Sequence, residues 1–268
     1  GGRFLNIRYR EWGAADNPKV AICVHGLSRN RLDFDDLAAA LSADWRVFAV
    51  DMPGRGGSDW LDDKSAYGYG LYETVCAAML ARTGADEVAW IGTSMGGNLG
   101  MRLASRPNTI ISKLVLNDIG PFVPAEGRRH NQTSFGKDPR FDSEMAGVAH
   151  VRETRSVFGP FTEKDWGKFG RDSLRQLPDG QWTLQYDPGL SQPAGAIEDT
   201  DNWELWSLIH CPVLTLWGQE SKLLLAPTVE RMASTGPKSE IYPVPGVGHC
   251  PGLTAADQID VITAFLAQ

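Results

Sequence analysis

The chain is poor in cysteine, has no long apolar run and carries no excess of positive charge. Its four cysteines, Cys23, Cys76, Cys211 and Cys250, are scattered over 268 residues without a Cys-x-x-Cys pair. That spacing suggests neither a disulfide framework nor a zinc site, and it favours a reducing compartment. No stretch approaches the ~20 apolar residues needed to cross a bilayer, so a membrane is not expected as partner. The net charge of −7 speaks against nucleic acid or an anionic membrane surface. No motif for a metal or an organic cofactor is present. The first residues, Gly1-Gly2-Arg3, lack a methionine and a signal-like apolar region, which reads as a processed or cloned end. A cytoplasmic protein, monomeric or homodimeric, is the default expectation. A triplet matching a glycosylation acceptor, Asn131-Gln132-Thr133, arises too readily by chance to carry weight.

What is present is a globular composition, 42% apolar and 22% charged. The length prior of ~150 residues per domain suggests two units, but α/β folds of this size often form one. Short β-rich runs at 4–9, 20–24, 46–50, 87–91, 113–117, 213–217 and 240–244 alternate with helical patterns at 33–41, 70–81, 96–105, 227–233 and 255–266. Several of the runs are almost wholly apolar, as strands buried on both faces are. This predicts an α/β fold with a mostly parallel central sheet and helices on both faces. The alternation breaks across 122–208, which carries turn signals, short helical patterns and eleven aromatics, among them Phe135, Phe158, Phe161, Trp166, Trp182, Trp203 and Trp206. Such a stretch is too long for a loop. It predicts an inserted helical cap at 122–208 on a core formed by 1–121 and 209–268. Most of its aromatics are expected to build the cap's own small core, with a few roofing an apolar pocket.

The most informative segment is Gly92-Thr93-Ser94-Met95-Gly96, entered from the apolar run Val88-Ala89-Trp90-Ile91 and followed by a helix-forming stretch. A strand reversing into a helix would hold Ser94 at a strained apex, exposed for reaction. Side chains at 92 and 96 would collide as the two elements approach. Serine needs a base, and the base needs a partner to orient it. Of the five histidines, His249 in Pro245-Gly246-Val247-Gly248-His249-Cys250-Pro251 sits in a glycine-bearing loop late in the chain, matching the order Ser…acid…His. His130, His150 and His210 read as surface or structural residues. His25, in Val24-His25-Gly26-Leu27, reads as a loop-fixing residue. Gly26 would let the N–H of Leu27 face a reacting carbonyl, and with the N–H of Met95 it would form an oxyanion hole. Asp51-Met52-Pro53-Gly54-Arg55-Gly56-Gly57-Ser58-Asp59 has the look of a nucleotide loop. It fails as one, since Asp59 stands where the last glycine belongs and no helix begins there.

Together these segments, with Leu116-Asn117-Asp118-Ile119-Gly120-Pro121, resemble the α/β-hydrolase superfamily in its capped, serine esterase-like branch. The resemblance runs from about residue 3 to the C-terminus and is weakest across the cap. It implies a carboxylesterase-type hydrolase acting on a carboxylic ester or similar small, largely apolar acyl compound, with Ser94 as nucleophile and His249 as base. The family's usual acid position, after the strand 213–217, holds Lys222, which cannot accept the imidazole N–H. Two carboxylates could substitute. Asp118 ends the strand 113–117, a place some members use, and Glu220 lies two residues before the usual position. Asp118 is preferred, with Glu220 as the alternative. If neither serves, the chain would be a catalytically quiet ligand-binding homologue. An acyl transferase or perhydrolase would use the same parts.

Overall fold

The computed structural model describes residues 4–132, 136–191 and 197–268, with backbone alone at 130–132. Thr133, Phe135 and the side chains of His130, Asn131 and Gln132 therefore lie outside what is described, as does Gly1-Gly2-Arg3. In chain order the strands are β1 (Tyr9–Trp12), β2 (Val20–Val24), β3 (Arg46–Val50), β4 (Val88–Thr93), β5 (Ile111–Asn117), β6 (Phe122–Val123), β7 (Leu174–Gln176), β8 (Trp182–Leu184), β9 (Thr200–Asp201), β10 (Val213–Gly218) and β11 (Glu240–Val244). The α-helices are α1 (Asp35–Leu41), α2 (Tyr69–Thr83), α3 (Met95–Ala104), α4 (Ala125–Gln132), α5 (Glu144–Thr154), α6 (Glu163–Asp172), α7 (Trp203–Ser207), α8 (Ala226–Ser234) and α9 (Ala256–Ala267).

The main sheet has the order β1-β3-β2-β4-β5-β10-β11. β1 is antiparallel to β3, and the other pairings are parallel. β2 and β4 are buried along their whole length, which is why their sequences are apolar runs rather than alternations. One face packs Ile22, Trp90 and Leu116 against Val75 and Met79 of α2, Leu99 of α3 and Met232 of α8. The other packs Ile91 and Val115 against Leu37 of α1 and Ile262 and Phe265 of α9. The pairing puts Thr93 opposite Asn117 and Asn117 opposite Leu216. The C-terminal ends of β4, β5 and β10 therefore lie side by side, the edge where parallel α/β sheets place their sites.

Two expectations need correction. The first strand is Tyr9–Trp12, not 4–9. Residues 6–8 pair with the loop after β3 instead of with a ladder. Arg8 O accepts the Asp51 N–H at 2.8 Å, and the Asn6 N–H reaches Asp59. Phe4 is fully exposed, so the apolar residues there do not mark a buried face. Second, the segment between β5 and β10 is not purely helical. Besides α4–α7 it holds two antiparallel ribbons, β6–β9 and β7–β8. Its own apolar cluster gathers Val151, Phe169, Leu174, Leu184 and Tyr186, with Phe158, Phe161, Trp166 and Trp182 packed against them. Trp206 does not join them. It is buried in the main core, and its indole N–H reaches Thr235 O at 3.0 Å.

Candidate active site

The turn from β4 into α3 holds Ser94 at φ 51°, ψ −111°, a region non-glycine residues rarely occupy. Close packing imposes it. A Cβ on Gly96 would stand 1.9 Å from Val24 O, and one on Gly92 would stand 2.4 Å from the Gly96 carbonyl. The indole of Trp90 donates to Gly96 O at 2.9 Å, and the Ser94 N–H donates to Asn117 O at 3.1 Å. The hydroxyl of Ser94 projects from this locked turn.

Its partner is His249, whose Nε2 lies 2.9 Å from Ser94 Oγ. Nδ1 of the same ring lies 2.7 Å from Asp118 Oδ2. With a carboxylate accepting from Nδ1–H, Nε2 keeps its lone pair facing the serine hydroxyl. Asp118 is fully buried. Its Oδ1 accepts the Gly218 N–H at 2.9 Å, and its Oδ2 also accepts the Ser221 hydroxyl at 2.6 Å. Glu220 and Lys222 are both exposed. The structure thus brings together Ser94, His249 and Asp118 and leaves Glu220 outside. The loop after β10 contributes a hydroxyl and an amide to the carboxylate instead of an acid. Ser221 went unnoticed in the sequence, where nothing marks it; only the neighbouring of β5 and β10 gives it a role.

The loop 25–29 is fixed from below. His25 Nδ1 lies 2.7 Å from Gly26 O, and its Nε2 accepts the Met52 N–H at 3.0 Å, so the ring is neutral with its proton on Nδ1. Burial pushes this imidazole down to about 3. In a trans peptide the N–H points opposite to the C=O. Holding Gly26 O against His25 therefore turns the Leu27 N–H away from the core. Among the described residues, neither that N–H nor the N–H of Met95 donates a hydrogen bond. The Leu27 side chain is 39% exposed. A separate small cleft of ≈ 30 Å³ lies beside the site, lined among others by Thr93, Asn117, Phe158, Phe169 and Cys250, and does not include Ser94. Among the described residues no group of three or more His, Cys, Asp or Glu side chains is placed to hold a metal ion.

The model of the alpha/beta hydrolase family matches residues 21–260. This chain belongs to the alpha/beta hydrolase family. It is 37% identical over 269 residues to a 3-hydroxybutyrate-oligomer hydrolase of Cupriavidus necator, covering 97% of this chain and 92% of that protein. A putative hydrolase from Rickettsia typhi superposes with a TM-score of 0.92 at 31% identity, over 98% of this chain and 91% of that one. An alpha/beta hydrolase from Novosphingobium aromaticivorans gives 0.88 at 32% identity, over 98% and 94%. The relatives agree with the fold read from the sequence and make this chain an enzyme of the hydrolase class. The segment 51–59 is a tight loop, with Gly54 and Gly56 at positive φ and the Asp51 carboxylate accepting the Arg31 and Gly57 N–H groups.

Proposed function

We propose that the protein hydrolyses carboxylic esters of short hydroxy acids by a serine mechanism, with residues 122–208 as its cap. The observation that carries this reading is the hydrogen-bonded chain Ser94–His249–Asp118 at 2.9 and 2.7 Å. Ser94 Oγ attacks the ester carbonyl while His249 Nε2 takes its proton. The buried carboxylate of Asp118 orients the ring and stabilises the imidazolium that forms. The N–H groups of Leu27 and Met95 hold the oxygen as it gains charge. His249 returns the proton to the departing alcohol, and the acyl group stays on Ser94. Water then attacks, giving a proton to His249, and the acid leaves as Ser94 recovers its hydrogen.

The substrate class follows from the Cupriavidus necator relative, which is named for 3-hydroxybutyrate oligomers. The apolar side chain of Leu27 suits a small, largely apolar acyl chain. The test is hydrolysis of a 3-hydroxybutyrate dimer and of p-nitrophenyl butyrate by the wild type and by Ser94→Ala. Turnover is expected with the wild type and loss of at least ~10³-fold with the variant. Hydrolysis that survives the substitution overturns the serine mechanism. Turnover of the nitrophenyl ester alone overturns the hydroxy-acid assignment.

A further inference from the structure

We propose that Arg55 sets the geometry of the oxyanion-binding N–H groups and supplies positive charge behind them. This rests on the ester-hydrolase reading above. Arg55 comes from the glycine-rich segment 51–59, for which the mechanism otherwise has no use. Its side chain is fully buried. Nε donates to Leu27 O at 2.8 Å, and one terminal nitrogen reaches Met95 Sδ at 3.6 Å. The other donates to Pro53 O at 2.7 Å and to the Tyr72 hydroxyl at 2.8 Å. One planar group thus contacts the Leu27 carbonyl and the Met95 side chain, the two residues whose N–H groups the proposed mechanism uses. Lysine, whose three donors sit on one nitrogen, cannot span them.

The charge matters as well as the shape. All four acceptors are neutral. A buried cation is costly unless something offsets it, and here no carboxylate bonds to it. The Asp187 carboxylate acts on Arg55 electrostatically but is itself ion-paired with Lys64 and accepts the Tyr67 hydroxyl. A cation set behind the site in a low-dielectric interior favours an oxygen that becomes negative over one that is neutral. The backbone around Arg55 is clamped by the inserted segment. Gly56 N–H donates to Gln185 O at 3.2 Å, and Asp187 N–H donates to Gly54 O at 2.7 Å. Arg55 therefore acts through Leu27 and Met95 as a positioning residue, anchored by the cap.

The experiment measures kcat, KM and inhibition by phenylboronic acid, which adds to a serine hydroxyl as a tetrahedral anion. Rates for the wild type, Arg55→Met and Arg55→Lys are expressed per active site titrated with a fluorophosphonate. Arg55→Met is expected to lower kcat by about 10²-fold, the scale of one lost oxyanion donor, with KM within about threefold. Boronate affinity should fall in parallel with kcat/KM, and Arg55→Lys should lie between the other two. A merely structural role would lower the number of titratable sites and leave the rate per site unchanged. If Arg55→Met does not fold, Arg55→Lys decides alone. A kcat per site within about twofold of wild type, or a loss confined to KM with boronate affinity intact, overturns the proposal while the Ser94-dependent activity stands. If wild-type hydrolysis survives Ser94→Ala, the serine mechanism fails and this proposal with it.

Discussion

Asp118 concentrates three hydrogen bonds on one fully buried carboxylate. On the proposed mechanism it must accept the Nδ1–H of His249. Asp118→Asn is expected to lower kcat by about 10³- to 10⁴-fold by favouring the wrong imidazole tautomer, while Glu220→Gln changes it by less than about twofold. Steady-state kinetics on p-nitrophenyl butyrate decides, and the reverse ranking would return the acid to the loop after β10. His25 makes a separate prediction, about stability. Its pKa is about 3 when folded against 6.5 in the free chain, so the unfolded state binds the extra proton as pH falls through that window. Its contribution is therefore complete above about pH 6.5 and declines below it. The melting temperature should drop between pH 7 and pH 5, and the slope should be shallower in His25→Gln. An unchanged slope in that variant would assign the acid sensitivity to other groups.

At the scale of elements, the strand–elbow–helix unit is the most constrained part of the fold. Gly96→Ala places a methyl 1.9 Å from a backbone carbonyl that belongs to the central strand β2 and cannot give way. Loss of soluble folded protein is expected, measurable by circular dichroism and by expression yield; a well-folded variant would mean the elbow is looser than its packing implies. This unit was also the most legible in the sequence, because close approach demands glycine at two spaced positions and burial on both faces demands an apolar run. His249 was legible for a related reason, its place in a glycine-bearing loop before the last helix. The acid was only partly legible. Asp118 and Glu220 both lay at the ends of strands, and choosing between them needed the side-by-side order of β5 and β10. The edge strand was misread because apolar residues at 4–8 suggest a ladder, whereas their backbone bonds with the loop after β3. The ribbons β6–β9 and β7–β8 were illegible, since strands of two or three residues are too short to show any period.

Across the whole molecule, the segment 122–208 and the rest of the chain are joined by backbone bonds, an ion pair and ring contacts. The guanidinium of Arg29 stacks 3.6 Å from the centre of the Phe169 ring and bonds to Asp33 and Ser173. The Phe158 ring lies 6.4 Å from that of His249, and Gly248 N–H donates to Val157 O at 3.0 Å. Phe169→Ala removes the stack and the centre of the insertion's apolar cluster together. A loss of about 3–5 kcal/mol is expected on the scale of buried aromatic truncation. Limited proteolysis should then cut within 122–208 before the rest of the chain; first cuts elsewhere would mean the two parts unfold together. The chain leaves the core and returns to it at one spot. Phe122 pairs with Asp201, and Asn202 N–H donates to Pro121 O at 2.8 Å. Two ends that touch can be joined by a short linker or offered to a foreign lobe. On the proposed reading of 122–208 as a cap, both joints of the cap lie at one place on the hydrolase body.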